Sequence, residues 1–241
     1  MFFVDRRERR LKSRMFPFIT HTVNPLAGGP CPHKCSYCWA TNLKNRHKWE
    51  KYTGPWRIYE KELKQYKAGD FVFPFDMTDI GCHSIPSDII HELLNWMRNQ
   101  PEVKFLLMTK DPEFYATFDL WIPHNCVLGV TIETDIKELT SRYSLAPFPN
   151  VRMVHMKNMT NDFDTFISVE PIMKFSPLFA NNLSYIRPWA VAVGYDNYNN
   201  NLPEPSLTET KDFITKLERY TTVYLKTLRE ANHQTLEETA N

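Results

Sequence analysis

The stretch GGPCPHKCSYCWA, residues 28–40, sets Cys31, Cys35 and Cys38 close together in a chain that contains five cysteines. The spacing C-x3-C-x2-C puts three soft thiolates on one short loop, a grip suited to an iron–sulfur cluster, zinc or copper(I). A closed structural zinc or a fully ligated four-iron cluster wants a fourth ligand, which Cys82 or His33 could supply. The second C-x2-C of a zinc ribbon is absent. Three thiolates on a four-iron cluster leave one iron with an open position, and an open iron can bind a small molecule. Neither G-x-G-x-x-G nor G-x-x-x-x-G-K-[ST] occurs, so Rossmann and P-loop nucleotide sites have no support.

The elements that must position such a loop follow from periodicity. Short apolar runs rich in β-branched or aromatic residues alternate with stretches of helical spacing. Strands are expected at 18–24, 70–75, 103–109, 126–132, 165–170, 189–194 and 222–226. Between the second and third, Ser87 is expected to cap a helix whose Ile89, Ile90, Leu93, Leu94 and Met97 form one apolar stripe, with Pro101 as its stop. Further helices are expected at 58–68, 111–118, 135–145 and 206–219, and Asn150 is expected to cap one over 150–161. This alternation predicts an α/β fold with a parallel sheet, a partial or near-complete (β/α)6-7 TIM-like barrel over residues 18–227. Residues 1–17 then form a basic N-terminal segment and 228–241 a C-terminal tail. Chemistry in a barrel collects at the C-terminal strand ends. The polar residues there are Asp76, Thr78 and Asp79, then Thr109 and Lys110, Thr131 and Glu133, Glu170, and finally Tyr195, Asp196 and Asn197.

With 42% hydrophobic and 14% aromatic residues in 241, the chain can bury a core of barrel size. No run approaches the roughly 18 apolar residues needed to cross a bilayer, and MFFVDRRERR reverses the charge order of a secretory signal. A cytoplasmic protein with no membrane partner is expected. An odd cysteine count with three in one cluster suits a reducing compartment and metal ligation rather than disulfides. A net charge of +1 does not attract polyanions as a whole, although Arg6, Arg7, Arg9, Arg10, Lys12 and Arg14 make the N-terminus locally basic, as a solvated arm or first helix would be.

The cysteine loop, with the aromatic Tyr37 before its last cysteine and a predicted strand before the whole, resembles the signature of the radical S-adenosylmethionine (radical SAM) superfamily. The surrounding VNPLAGGPCPHKCSYCWA is similar to the branch containing spore photoproduct lyase and a related group of phage and prokaryotic proteins. LLMTK, LGVTIET and ISVEPI extend that likeness. The resemblance implies a [4Fe-4S] cluster held by Cys31, Cys35 and Cys38, with S-adenosyl-L-methionine (SAM) on the open iron. It implies cleavage of SAM to a 5′-deoxyadenosyl radical that takes hydrogen from a substrate. Tyr37 resembles the aromatic beside the adenine. Asp76 and Thr78 fall where the superfamily meets the methionine amino group, although FDMTD departs from the common Gly-Gly-Glu form. Glu133 and Glu170 would meet ribose hydroxyls or methionine, and Lys110 the methionine carboxylate. An interior ion pair, Lys110 with Glu133, is the competing reading. In spore photoproduct lyase a cysteine thiol donates hydrogen to the substrate radical, which makes Cys82 a candidate donor. Its position does not match that donor closely, and packing is the alternative. Cys126 is read as packing. A flavodoxin- or ferredoxin-type electron donor follows from the class, and simple hydrogen abstraction fits the lack of an auxiliary cysteine group.

The stretch KNRHKWEKYTGPWR, residues 44–57, interleaves Lys44, Arg46, His47, Lys48, Lys51 and Arg57 with Trp49, Tyr52 and Trp56. Cations for phosphates and flat rings for stacking suit a single strand or a flipped base. A surface helix with its aromatics turned inward is the simpler reading. Two functions therefore stand: a radical SAM enzyme, with a nucleobase or nucleic acid favoured among its substrates, and a non-catalytic metal-stabilised nucleic-acid-binding protein.

Overall fold

The computed structural model describes residues 15–232; the cluster Arg6 to Arg14 and residues 233–241 lie outside the described residues. In chain order the elements are β1 (His21–Thr22), β2 (Leu26–Ala27), α1 (Trp39–His47), β3 (Arg57–Ile58), β4 (Phe71–Phe73), α2 (Ser87–Arg98), β5 (Lys104–Thr109), α3 (Glu113–Thr117), β6 (Cys126–Thr131), α4 (Lys137–Tyr143), α5 (Pro149–Met159), β7 (Thr165–Val169), α6 (Phe179–Ile186), β8 (Ala190–Val193), α7 (Leu207–Leu217) and β9 (Thr222–Leu225). All seven expected strands form, trimmed to their apolar centres. They pair in parallel in the order β1-β4-β5-β6-β7-β8-β9, while β2 and β3 make a separate antiparallel ladder.

A parallel sheet is covered on both faces, which is why its strands read as apolar runs. Phe105, Leu107, Leu128, Val130, Ile167, Val169, Val191 and Val193 point outward against Leu93, Leu94, Met97, Met156, Leu183 and Phe213 of the helices. The alternate residues Leu106, Met108, Val127, Phe166, Ala190 and Ala192 point inward. There the segment just before β1 meets them. Phe16 packs edge-on to Phe166 at 4.8 Å, and the Phe18 ring lies 5.0 Å from Phe71 on β4 and 5.2 Å from Tyr224 on β9. One side chain touching strands near both ends of the sheet requires the sheet to curl. Among the described residues β1 and β9 remain unpaired edges, so the result is a half-barrel with an aromatic floor.

Several local expectations are corrected. Residues 58–68 are not a helix: Ile58 pairs with Leu26, only Glu60–Glu62 makes a 3-10 turn, and the Tyr66 N–H donates to the Gln100 side chain at 2.9 Å. These groups find tertiary partners that a helix would forfeit. Pro86, not Ser87, occupies the cap position of α2, and Phe148 with Pro149 at the first turn, not Asn150, starts α5. Proline's fixed φ and missing N–H serve there without a capping side chain. Helix α6 has no counterpart among the expected elements, and the surface helix read over 44–57 is present only as the end of α1, which stops at His47. None of the described helices is long and apolar enough to cross a membrane.

Candidate active site

The thiol loop joins β2 to α1 and is pinned on both sides by backbone hydrogen bonds. Gly28 N–H donates to the Lys51 carbonyl at 2.9 Å and Gly29 N–H to that of Gly54 at 3.2 Å; opposite, Ser36 N–H donates to Tyr143 at 2.9 Å, and the His33 carbonyl accepts from Leu145 at 2.7 Å. Gly28 has φ +102°, and a Cβ there would stand 2.4 Å from the Pro55 carbonyl oxygen. Only glycine permits that approach.

Each thiol has its own surroundings. Cys38 caps α1, its sulfur accepting from the Thr41 N–H at 3.4 Å and the Thr41 hydroxyl at 3.2 Å, which sets it at the positive end of the helix dipole. Cys35 Sγ lies 3.1 Å from Ser144 Oγ, and burial raises its pKa. The neighbouring Cys82 thiol lowers the Cys31 pKa to about 7 against the opposing effect of burial. The same pairing, with burial, pushes Cys82 far up.

All three loop cysteines open on one cavity of ≈ 1150 Å³ at the C-terminal strand ends. Ordinary small-molecule pockets measure about 300–1,000 Å³, so this one has room for a ligand and a second molecule. Phe16, Phe73 and Met108 make its floor, and Tyr37, Asp76, Thr78, Lys110 and Glu170 line it. Asn24 explains the VNP stretch: its amide N–H donates to the Asp76 carboxylate, while its side-chain oxygen accepts from Met77 N–H at 2.8 Å. Burial raises the pKa of Asp76 and that of Glu170, the latter 3.6 Å from Lys226 Nζ. The Thr78 hydroxyl is buried without a hydrogen-bond partner. Lys44, not among the expected site residues, enters the cavity from α1; burial lowers its pKa, and Nζ stands 4.6 Å over the Tyr52 ring.

Two expected site residues do not line the cavity. Glu133 is 1% exposed. The Lys110 ammonium and the Tyr37 hydroxyl, the latter at 2.6 Å, donate to its Oε1, and Arg152 Nη1 donates to Oε2 at 2.8 Å. Burial alone would raise the Glu133 carboxyl; the charges of Lys110 and Arg152 outweigh it and hold the group well below the ordinary carboxylate range. The interior ion pair is therefore the arrangement present, enlarged by the fully buried Arg152. No sequence signal marked Arg152, because the apolar residues of α5 form no single stripe, Val151 and Val154 standing exposed on its outer side. Cys82, 3% exposed, sits behind Cys31 rather than on the cavity wall.

A family model described as protein of unknown function (DUF5131) matches residues 14–196. The chain belongs to the DUF5131 family. No curated protein matches its sequence. Among solved structures, the DUF5131 chain resembles a spore photoproduct lyase mutant with bound AdoMet and dinucleoside spore photoproduct, at TM-score 0.63 and 10% identity over 89% of this chain and 80% of that one. It also resembles Streptococcus suis SuiB bound to S-adenosylmethionine, at TM-score 0.53 and 10% identity over 87% of this chain and 50% of that one. The half-barrel thus shares the fold of spore photoproduct lyase and of SuiB.

The DUF5131 loop has the donor chemistry an iron–sulfur cluster asks for. Its three thiols face one cavity yet do not converge within 4.8 Å of one another as a single-ion site would. A cluster that takes one thiolate on each of three irons needs that spread. The basic and aromatic stretch 44–57 is mostly structural: Arg57 donates to the carbonyls of Lys51, Thr53 and Pro55, Lys51 pairs with Glu62 at 2.5 Å, and the Trp56 ring N–H donates to Ser84.

Proposed function

We infer that this chain is a radical SAM enzyme in which Cys31, Cys35 and Cys38 hold a [4Fe-4S] cluster and the adjoining cavity takes SAM and a substrate. The observation that carries the reading is the coincidence of the three-thiol loop with a large cavity at the strand ends of a radical SAM half-barrel. Bound there, the cluster and SAM would supply reductive cleavage of the sulfonium and a 5′-deoxyadenosyl radical for hydrogen abstraction. The chain's residues have narrower tasks. Thr78 offers an unpaired hydroxyl, and Asp76 and Glu170 offer carboxylates for amino or hydroxyl groups. Glu133 acts by position: with Arg152 behind it, it fixes Lys110 and Tyr37 against the wall. Phe16, Phe73 and Met108 keep water from the floor. Cys82 does not reach the cavity, so the hydrogen-donor role expected for it is not carried into this reading. Electrons come from a flavodoxin- or ferredoxin-type donor.

The substrate favoured is a nucleobase in a single strand. Support comes from the space left beyond a SAM-sized ligand, from the cations Lys34 and Lys44 beside that space, and from Tyr198 as a stacking surface at its edge. The neighbouring lyase carries a dinucleoside. Anaerobic reconstitution with iron and sulfide should give a brown protein that, with dithionite and SAM, releases 5′-deoxyadenosine. Deuterium from labelled oligonucleotides should appear in that product. A colourless protein inert toward SAM would leave the non-catalytic nucleic-acid-binding reading in its place.

A further inference from the structure

One ligand atom each of Cys31, His33 and Cys82 lie within 4.8 Å of one another. Two of these residues stand outside the C-x3-C-x2-C set. His33 is 4% exposed, and its Nε2 has no hydrogen-bond partner, although Asp79 Oδ2 stands 3.2 Å away. Asp79 is itself locked, accepting from the Thr109 hydroxyl at 2.6 Å, the Lys110 N–H at 2.8 Å and the Gly81 N–H at 2.9 Å. A Cβ on Gly81 would stand 2.2 Å from Thr109 Oγ1, so glycine is what lets the Cys82 turn press against the end of β5. With Asp79 facing Nε2, Nδ1 is the nitrogen left to an ion, the arrangement in which a carboxylate orients a metal-binding imidazole. Two thiols and an imidazole, with a carboxylate behind the imidazole, are the donor set and outer shell of a thiophilic divalent ion.

We propose that, in the chain without its cluster, Cys31, His33 and Cys82 bind one divalent ion of the zinc class, and that this ion and the iron–sulfur cluster exclude one another through Cys31. Binding displaces one proton from each of the two thiols into solvent and leaves the fourth tetrahedral position to water. A Cys31 committed to the ion cannot ligate an iron, so ion loading halts cluster assembly. The exclusion rests on the cluster assignment made above; the ion site does not.

The test uses the reduced, metal-free full chain titrated anaerobically with Co²⁺. One equivalent should bind with intense sulfur-to-cobalt charge transfer and tetrahedral ligand-field bands, and Zn²⁺ should displace it. The double variant Cys35→Ser/Cys38→Ser, which leaves the three proposed ligands untouched, should bind equally. Cys82→Ser and His33→Ala should each weaken binding at least about tenfold, and Asp79→Asn about 10–100-fold. Loss of the cobalt spectrum in the double variant, or a full spectrum in Cys82→Ser, overturns the site. Wild type preloaded with one equivalent of Zn²⁺ should then incorporate far less iron and sulfide than unloaded protein; equal incorporation overturns the exclusion. A chain that passes the cobalt test yet never yields 5′-deoxyadenosine sinks the catalytic reading alone.

Discussion

Removing the charge of Glu133 leaves Lys110 and Arg152 as cations with no buried counter-ion between them. Breaking such a pair costs about 3–5 kcal/mol because the surviving charges stay desolvated. Glu133→Gln should therefore lower the denaturation midpoint sharply at neutral pH. The pH dependence has a fixed sign. The carboxyl is held below its unfolded value, so its stabilisation is present above the ordinary carboxylate range and disappears as pH falls through the depressed native value. Acid unfolding followed by circular dichroism should show a shallower acid limb in Glu133→Gln; an unchanged limb would remove Glu133 from the balance. At the same scale, Thr78→Val keeps the shape and deletes only the orphaned hydroxyl. It should leave folding intact and raise the SAM requirement by roughly 0.5–1.5 kcal/mol of binding, about the net worth of one hydrogen bond, measured by equilibrium binding to reconstituted protein.

Elements position these residues through a few close approaches, and the thiol loop depends most on Gly28. Gly28→Ala combines a left-handed φ with a Cβ against the Pro55 carbonyl and should cost about 1–3 kcal/mol. Reconstituted iron per chain should fall with it; normal iron content would show that the loop tolerates a new path. The sheet could be read in the sequence because its central strands, β5 to β8, are buried on both faces almost throughout, so their residues form mostly apolar runs. The loop could be read because thiols have few other uses at that spacing. Residues 58–68 could not: IYEKELKQYKA has helix-forming composition, but Glu62 pairs with Lys51 and also accepts from the Asn24 N–H, contacts set by distant chain. Arg152 and Asn24 were missed for a related reason. Their roles lie in partners far along the chain, Glu133 and Asp76, and single positions carry no periodicity.

At the scale of the whole molecule, the half-barrel closes its floor with the segment just before β1. Phe16→Ala removes a ring packed on Phe166 and Phe73 and should cost about 3–5 kcal/mol, while opening the cavity floor to solvent; thermal melting and dye binding report the two effects separately. Because the sheet order follows the chain order, each strand docks on the one made just before it. The floor is the exception, since Phe18 waits for Trp189 and Tyr224. At about 5–20 residues per second, the ribosome finishes the thiol loop on the order of ten to forty seconds ahead of β9. During that interval the cysteines have neighbours but no chamber, and alkylation of stalled nascent chains should find them far more reactive than in the finished protein.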